Sequence, residues 1–307
     1  MSPELPPASC SSTFTEADVV PSQRPPDTPL ELQQAALVNW FRSYPSAIVA
    51  FSGGVDSALV AWAAFQALGI SAVAVTAHSG SVSRIDREIA ERVAREIGIR
   101  HVVLSTNELE VADYRANSPR RCFHCKSTLY STIRATFAEA DFPLCVNGTN
   151  ADDLGDYRPG REAANQERVR SPLAELGITK KEVRQLAEKA GLTVHDRPAS
   201  PCLASRVAYG VEVTPERLSR IEAAEHYLRS IGLREFRVRI EAQDLARIEV
   251  PVECLTQLAT SPNREECVRL FKELGFRQIC LDLAGFRSGN LNEFIPLQTG
   301  KTTSNHG

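Results

Sequence analysis

The sequence has no apolar run that approaches the ~20 residues needed to span a bilayer as a helix. Its opening stretch, MSPELPPASCSS, lacks the charged and apolar regions of a signal peptide. Net charge is also small, at −3, whereas a nucleic-acid-binding protein is expected to show a basic surface. We therefore expect a cytoplasmic protein with neither a membrane nor a nucleic acid as partner. In that compartment its eight cysteines are not expected to form disulfides.

Two common nucleotide-binding motifs are missing as well. The chain has neither a GxxxxGK[ST] loop nor GxGxxG, so a kinase-type P-loop and a dinucleotide fold are not supported. Instead, the apolar run 47–51 leads into SGGVDS at residues 52–57, and an apolar segment follows at 58–68. This order predicts a buried strand, a glycine turn and a buried helix. The free N–H groups at the start of such a helix predict a phosphate site.

The SGGxDS loop resembles the PP-loop of N-type ATP pyrophosphatases. Members of that superfamily cleave ATP between the α and β phosphates and leave an adenylated substrate and pyrophosphate. The predicted ATP site comprises the loop and the end of the next strand: Ser52, Gly53, Gly54, Asp56, Ser57 and Thr76. A carboxylate beside phosphates indicates a bridging Mg²⁺, for which Asp56 and Asp153 are the candidate ligands. Asp152 and Asp153 are equally compatible with capping a turn.

Alternating strand and helix patterns predict an α/β protein. We expect a PP-loop domain with a parallel sheet at 29–210 and a smaller α/β domain, for substrate or oligomer contacts, at 211–295. Residues 1–28 and 296–307 are expected to be disordered tails. The predicted strands are 71–77, 101–104, 144–146, 235–240, 245–250 and 278–283, and the predicted helices are 30–42, 83–97, 180–191, 214–232 and 263–274. Segments 107–119 and 158–172 are predicted to be loops, the second a candidate flap over the site.

The chain contains a single CxxC, at Cys122 and Cys125. Alone, it is compatible with a metal, a cluster or a redox pair. A zinc site normally needs four ligands, often from a second CxxC, which is absent. Cys202 lies in a polar, Pro-flanked stretch, and three cysteines without a fourth indicate an Fe–S cluster with one open iron. Three further cysteines lie in apolar runs and are predicted core residues: Cys145, Cys267 and Cys280. Cys254 is assigned to the core by default.

A PP-loop followed by RCxxCK, NGTNxDD, SPCLxSR and DLxGFRSGxLN resembles the LarE family, the sulfur-inserting enzymes of nickel-pincer cofactor synthesis. The resemblance implies that ATP adenylates a carboxylate of pyridinium-3,5-biscarboxylic acid mononucleotide, a nicotinic-acid-derived substrate, and that sulfur transfer gives the thiocarboxylate. In one class of the family a single cysteine, corresponding to Cys202, gives up its sulfur and becomes dehydroalanine. In another class three cysteines, matching Cys122, Cys125 and Cys202, hold a 4Fe–4S cluster that carries an extra sulfide. A sulfide source is then an implied partner, and the family also implies a homo-oligomer.

The substrate's phosphate and carboxylates require cations. Arg237 and Arg239 are two residues apart on a predicted strand, so their side chains share one face. With Ser205 and Arg206 they are predicted to clamp the phosphate, since Arg binds phosphate by paired hydrogen bonds. The alternative is a solvated edge strand with ion pairs. Glu225 is a weaker candidate from the resemblance, with a helix-surface charge as its alternative.

Three other functions account for part of the sequence. A tRNA thiolation enzyme of the PP-loop class should have a basic surface, and the cluster-bearing ones usually read SGGKDS, where Val55 stands here. An amide synthetase that uses ammonia would leave the three cysteines without a role. A zinc-stabilised binding protein would not need intact Ser52, Asp56 and Ser57.

Overall fold

The computed structural model describes residues 28–155 and 159–287, and the predicted tails lie outside this range except for Thr28. The helices are α1 (Leu30–Phe41), α2 (Val55–Leu68), α3 (Arg84–Ile97), α4 (Ala112–Arg115), α5 (Arg121–Thr136), α6 (Pro159–Gln166), α7 (Pro172–Glu175), α8 (Lys180–Lys189), α9 (Pro215–Ser230), α10 (Leu255–Ala259) and α11 (Asn263–Glu273). The strands are β1 (Ala47–Ala50), β2 (Ala72–His78), β3 (Arg100–Ser105), β4 (Cys145–Val146), β5 (Arg237–Glu241), β6 (Leu245–Glu249) and β7 (Gln278–Leu281).

The first sheet is parallel, with strand order β3-β2-β1-β4. All four residues of β1 are buried, as its apolar sequence predicts for a central strand covered on both faces. The apolar helix α2 lies in the core beside it, with Leu59 and Val60 fully buried. Because the strands are parallel, their carboxyl ends meet at one edge, where ligands bind in such sheets. The predicted α/β fold with a parallel sheet is confirmed.

A second sheet has the order β5-β6-β7, with β5 antiparallel and β7 parallel to β6. Helices α9 and α11 contribute to its core through Leu218 and Phe271. Tyr114, from far earlier in the chain, belongs to this core as well, so the two α/β units share a packed boundary. The predicted smaller C-terminal α/β unit is therefore present, while the boundary near residue 210 stays a prediction.

Two predicted loops are wrong in the part of the chain that the structure describes. Segment 107–119 contains a 3₁₀ turn at 108–110 and helix α4. Segment 158–172 contains helix α6, whose Ala163 and Ala164 are buried, while its role as a flap stays a prediction. Two adjacent alanines give too weak an apolar period to reveal a helix in a polar sequence. The structure also adds helix α5, which begins one residue before Cys122.

Two predicted helix starts are confirmed by their caps. Thr179 and Glu182 form the predicted capping box at the start of α8, and the Thr214 hydroxyl caps α9. None of the helices within the described ranges is long and apolar enough to cross a membrane.

Candidate active site at the carboxyl edge of the parallel sheet

The SGGVDS loop connects β1 to α2 at this edge. The hydroxyl of Ser57 lies 3.1 Å from that of Ser52 and donates to the carbonyl of Gly54 at 3.1 Å. The backbone N–H of Gly54 donates to the Ser52 hydroxyl at 3.3 Å. Gly54 is the N-cap of α2 and has no side chain to cap the first N–H groups. The start of a buried helix therefore faces a compact loop with two hydroxyl groups, which is suited to a phosphate.

Two glycines allow neighbouring segments to approach this loop. Gly53 has φ +73°, and a Cβ at this position would lie 2.7 Å from the Cα of Ala90 on α3. Gly148, after β4, has ordinary backbone geometry, but a Cβ there would lie 2.7 Å from the backbone nitrogen of Ser57. Glycine is thus required at 53 by conformation and by contact, and at 148 by contact alone. The first turn of α2 is enclosed by backbone from both sides.

Asp56, in the first turn of α2, has two polar partners. Its Oδ2 lies 2.5 Å from Nζ of Lys180, and its Oδ1 accepts a hydrogen bond from the Asn150 side chain at 3.0 Å. Asp153 accepts from the backbone N–H of Asn150, and Asp152 accepts from that of Lys180, at the start of α8. Both aspartates of NGTNADD therefore cap turns in this structure, and Mg²⁺ binding by Asp56 and Asp153 stays a prediction.

Thr76 lies in β2 with its side chain turned into the protein. It is 5% exposed, and its hydroxyl donates to the carbonyl of Phe51 at 2.8 Å and lies 2.8 Å from Nε2 of His101. Burial lowers the pKa of His101. A nucleotide would therefore meet the backbone of Thr76 and not its hydroxyl.

The three predicted sulfur-site cysteines come from two segments. Cys122 and Cys125 lie one turn apart on α5, and Cys202 precedes a 3₁₀ turn at 203–206. Burial, and after it the charge of Cys202, raises the pKa of Cys125 to about 12. Burial first, and then Cys202 and Cys125, raise the pKa of Tyr114. Burial first, and then the charge of Cys202, also raise the pKa of Cys122, so the three cysteines lie in one electrostatic neighbourhood.

Hydrogen bonds hold the two cysteine segments together. Arg121, 4% exposed, donates to the carbonyl of Ala204 at 2.8 Å. The fully buried Asn117 donates to the carbonyls of Val207, Ala208 and Val211. The backbone N–H of Leu203 donates to the carbonyl of Ser81, just after β2, at 2.9 Å. The two cysteine segments are therefore attached to the edge that carries the SGGVDS loop.

The thiol groups of these cysteines are suitable ligands for an Fe–S cluster. Three thiols that no disulfide consumes are the ligands expected for an Fe–S cluster with one open iron. Across 28–155 and 159–287, however, no group of three or more His, Cys, Asp or Glu side chains is arranged to hold a metal ion. The cluster and Mg²⁺ accordingly belong among the proposals below.

Two of the predicted substrate-binding arginines are buried in ion pairs. Arg206 forms paired bonds of 3.0 and 3.2 Å with Glu225 and also donates to the carbonyl of Cys202 at 2.9 Å. Arg239 forms paired bonds of 3.1 and 3.0 Å with the fully buried Glu249 and donates to the carbonyl of Ser205 at 2.7 Å. The alternative of a solvated strand with ion pairs is wrong for Arg239 because its ion pair is buried. Glu225 is 6% exposed, so its alternative as a surface charge is also wrong.

Arg237 is held differently. Its hydrogen bonds go to the carbonyls of Phe236 and Ala199, and no carboxylate within the described ranges pairs with it. Burial, and then the nearby charge of Arg206, lowers the pKa of Arg237 to about 10. A cleft of about 540 Å³, within the usual size of small-molecule sites, reaches this region and is lined by residues that include Ser200, Arg206 and Glu225.

Several residues of the site escaped the sequence analysis. Lys180 stands in the predicted capping box, where its position suggested only a helix start. Arg121 adjoins the CxxC, which is a usable signal, whereas nothing local marks Asn117 or Asn150. Each acts on a residue far away in the chain, such as Lys180 on Asp56, which is 124 positions earlier.

Comparison with known proteins gives one family match and three similar proteins. Residues 46–127 match the family described as queuosine biosynthesis protein QueC. An uncharacterized protein of Synechocystis is 45% identical over 266 residues, covering 87% of this chain and 99% of that protein. The pyridinium-3,5-bisthiocarboxylic acid mononucleotide synthase of Lactiplantibacillus plantarum is 35% identical over 267 residues, covering 87% of this chain and 96% of that protein. A tRNA-specific 2-thiouridylase of Rickettsia conorii is 28% identical, covering 54% of this chain and 55% of its own length.

Proposed function

Because the chain belongs to the LarE family, that of the Lactiplantibacillus synthase, we propose that it is an ATP-dependent sulfurtransferase acting on a nicotinic-acid-derived mononucleotide. One observation carries this proposal. The segment that bears Cys202 is bonded to Ser81, just beyond β2, on the same sheet edge as the SGGVDS loop. Activation by ATP and attack by sulfur can therefore take place in neighbouring parts of one site.

The first step is adenylation. A carboxylate oxygen of the substrate attacks the α-phosphorus of ATP, the bond to the β-phosphate oxygen breaks, and pyrophosphate leaves. The N–H groups at the start of α2 and the hydroxyls of Ser52 and Ser57 hold phosphate oxygens. Asp56 and Asp153 would hold Mg²⁺, which would neutralise phosphate charge, and Lys180 places a cation beside Asp56.

The second step replaces the adenylate by sulfur. A hydrosulfide nucleophile attacks the acyl carbon, AMP leaves with the bonding electron pair, and loss of the sulfur-bound proton leaves the thiocarboxylate. If Cys202 is itself the donor, its thiolate forms a thioester with the acyl group. Loss of the Cys202 Cα proton then breaks the Cβ–Sγ bond and gives dehydroalanine and the thiocarboxylate. A 4Fe–4S cluster held by Cys122, Cys125 and Cys202 would supply sulfide for repeated turnover. The protein's own contribution is to fix Cys202, through Arg121 on Ala204 and Arg206 on the Cys202 carbonyl.

The five predicted substrate residues divide into two roles. Arg206, Glu225 and Arg239 are committed to buried pairs and position the turn that follows Cys202. Arg237 has no carboxylate partner within the described ranges and is the cation best placed to meet a substrate anion. The Ser205 hydroxyl donates to the carbonyl of Cys202, so Ser205 also supports that turn. A homo-oligomer remains part of the proposal through the family alone.

The experiment is to purify or reconstitute the protein without oxygen, measure iron and acid-labile sulfide, and assay thiocarboxylate formation with ATP and the biscarboxylated mononucleotide. About four irons per chain, absent in Cys202→Ala, with many turnovers, supports the cluster. No iron, with Cys202 converted to dehydroalanine after one turnover, supports the single-use donor. Product on tRNA in place of the mononucleotide would favour the thiouridylase alternative, and pyrophosphate without any thiocarboxylate would reject sulfur transfer.

A further inference from the structure

Helix α3 brings one arginine to the nucleotide edge of the sheet. Ala90 of α3 touches the SGGVDS loop, since a Cβ on Gly53 would lie 2.7 Å from its Cα. Arg87 precedes Ala90 by three residues and so lies on the same helical face, about 4.5 Å along the axis. Its Nη1 lies 2.9 Å from Nε2 of His78, the last residue of β2. The approach of Ala90 to Gly53 and the bond from Arg87 to His78 together place Arg87 at the carboxyl edge.

Only one nitrogen of the Arg87 guanidinium, Nη1, makes a hydrogen bond within the described ranges. Nη1 bonds His78, but Nε is buried and has no hydrogen-bond partner within the described ranges. No bond is made by Nη2 there either. Nε–H and one Nη2–H point in parallel, forming the fork that binds two oxygens of a phosphate. An unpaired buried donor is unfavourable, so a ligand that pairs with it is favoured.

Charge in this part of the site also calls for a cation. The SGGVDS loop contains no Lys or Arg, and Lys180 is already paired with Asp56. Other charged groups around Arg87 do not occupy its free edge. Asp86, the neighbouring carboxylate on α3, is bonded by Arg197 and by Ser83, and the Glu88 carboxylate lies 3.8 Å from Arg84.

The geometry points to Arg87, positioned by His78, as a phosphate-binding residue of the nucleotide site: its Nε and Nη2 take the α-phosphate of ATP. This inference rests on the proposed adenylation. The pyrophosphate is expected at the SGGVDS loop and the adenosine at the end of β2, so the α-phosphate lies between them, where Arg87 is anchored. The α-phosphate gains negative charge as the carboxylate attacks, and the acyl-adenylate keeps this phosphate. The Nε–H and Nη2–H of Arg87 can therefore bind it both in the transition state and in the acyl-adenylate.

The test uses Arg87→Gln and Arg87→Lys, with Arg92→Gln as the matched control on an exposed face of α3. Substrate-dependent pyrophosphate release should fall about 100-fold or more in Arg87→Gln, as for loss of one preorganised donor. Arg87→Lys keeps the charge without the fork and should recover part of the rate. Arg92→Gln should stay within about twofold. His78→Ala should raise KM for ATP, and the fold-change in KM should be smaller than the fold-change by which Arg87→Gln lowers kcat.

Ligand binding separates this inference from the proposed function. With Mg²⁺ and α,β-methylene-ATP as the probe, Arg87→Gln should bind more weakly than wild type, while adenosine should bind equally to both. Equal binding of the ATP analogue with unchanged pyrophosphate release would overturn the role of Arg87 and leave the sulfurtransferase proposal intact. An equal loss of adenosine binding would also overturn it, since Arg87 would then shape the site and not bind phosphate. Should Arg87→Gln fail to fold, the same comparisons with Arg87→Lys decide.

Discussion

At Gly53, a single added methyl group should destabilise the protein and abolish ATP binding. Its φ of +73° is unfavourable for any residue with a Cβ, at about 1–2 kcal/mol for Ala. The added Cβ would also lie 2.7 Å from the Cα of Ala90 and 2.9 Å from its backbone nitrogen. Backbone atoms cannot turn aside as a side chain can, so α3 must shift. Overpacking of this kind typically costs about 1–3 kcal/mol.

Gly191→Ala is the matched control for the conformational part. Gly191 has φ +76°, and a Cβ added there would meet nothing within 4 Å, so it carries the backbone strain without the contact. Gly148→Ala is the control for the contact, because its backbone is ordinary while its Cβ would lie 2.7 Å from the backbone nitrogen of Ser57. We expect Gly53→Ala to lose about 2–5 kcal/mol of unfolding free energy, the sum of both parts. Gly191→Ala should lose about 1–2 kcal/mol.

The assay is urea unfolding of the three variants, followed by ATP binding in those that remain folded. Gly191→Ala should bind ATP as wild type does, whereas Gly53→Ala and Gly148→Ala should not, since both displace the first turn of α2 or its loop. Equal stability losses in Gly53→Ala and Gly191→Ala, with ATP binding retained in both, would refute the claim that α3 closes on this loop through Gly53.

Three further outcomes are expected. Lys180→Ala should slow pyrophosphate release about 100-fold while circular dichroism stays native, and an unchanged rate would remove Lys180 from the nucleotide site. Glu249→Ala should cost about 3–5 kcal/mol in urea unfolding because it leaves Arg239 buried and unpaired, against less than about 0.5 kcal/mol for the exposed pair member Arg264→Ala. Burial raises the pKa of the half-buried Cys145 to about 12, so its folded thiol should resist alkylation at pH 9, and rapid labelling at pH 9 in native buffer would contradict the raised pKa. The stability that this shift contributes should be lost as pH rises from the thiol pKa of the unfolded chain towards the folded pKa.

Much of the first domain follows from local pattern. The apolar run 47–51, the two glycines and the apolar segment after them predict β1, the loop and α2, and the structure has these elements with α2 starting at Val55. The capping box at Thr179 and the Thr214-Pro215 start are equally local. Such features depend on neighbours within one or two turns, which is why the sequence alone reveals them.

The helices α5 and α6 did not follow from pattern. Their buried faces are narrow and interrupted by polar residues, and α6 is stabilised by burying Ala163 and Ala164, not by a strong apolar period. Tertiary packing supplies what the local period lacks, as it does for most short helices.

The sequence by itself determined the family, the parallel α/β fold and the identity of the SGGVDS loop and of the cysteines, because each is written in contiguous residues. Only the tertiary structure decided which charged side chains form ion pairs and which can still bind a ligand. Arg206 and Arg239 read like Arg237 in the sequence, yet two meet buried glutamates and the third does not. Lys180 likewise reaches Asp56 across 124 positions. Pairing of charges depends on distances between elements far apart in the chain, and only the packed fold sets those distances.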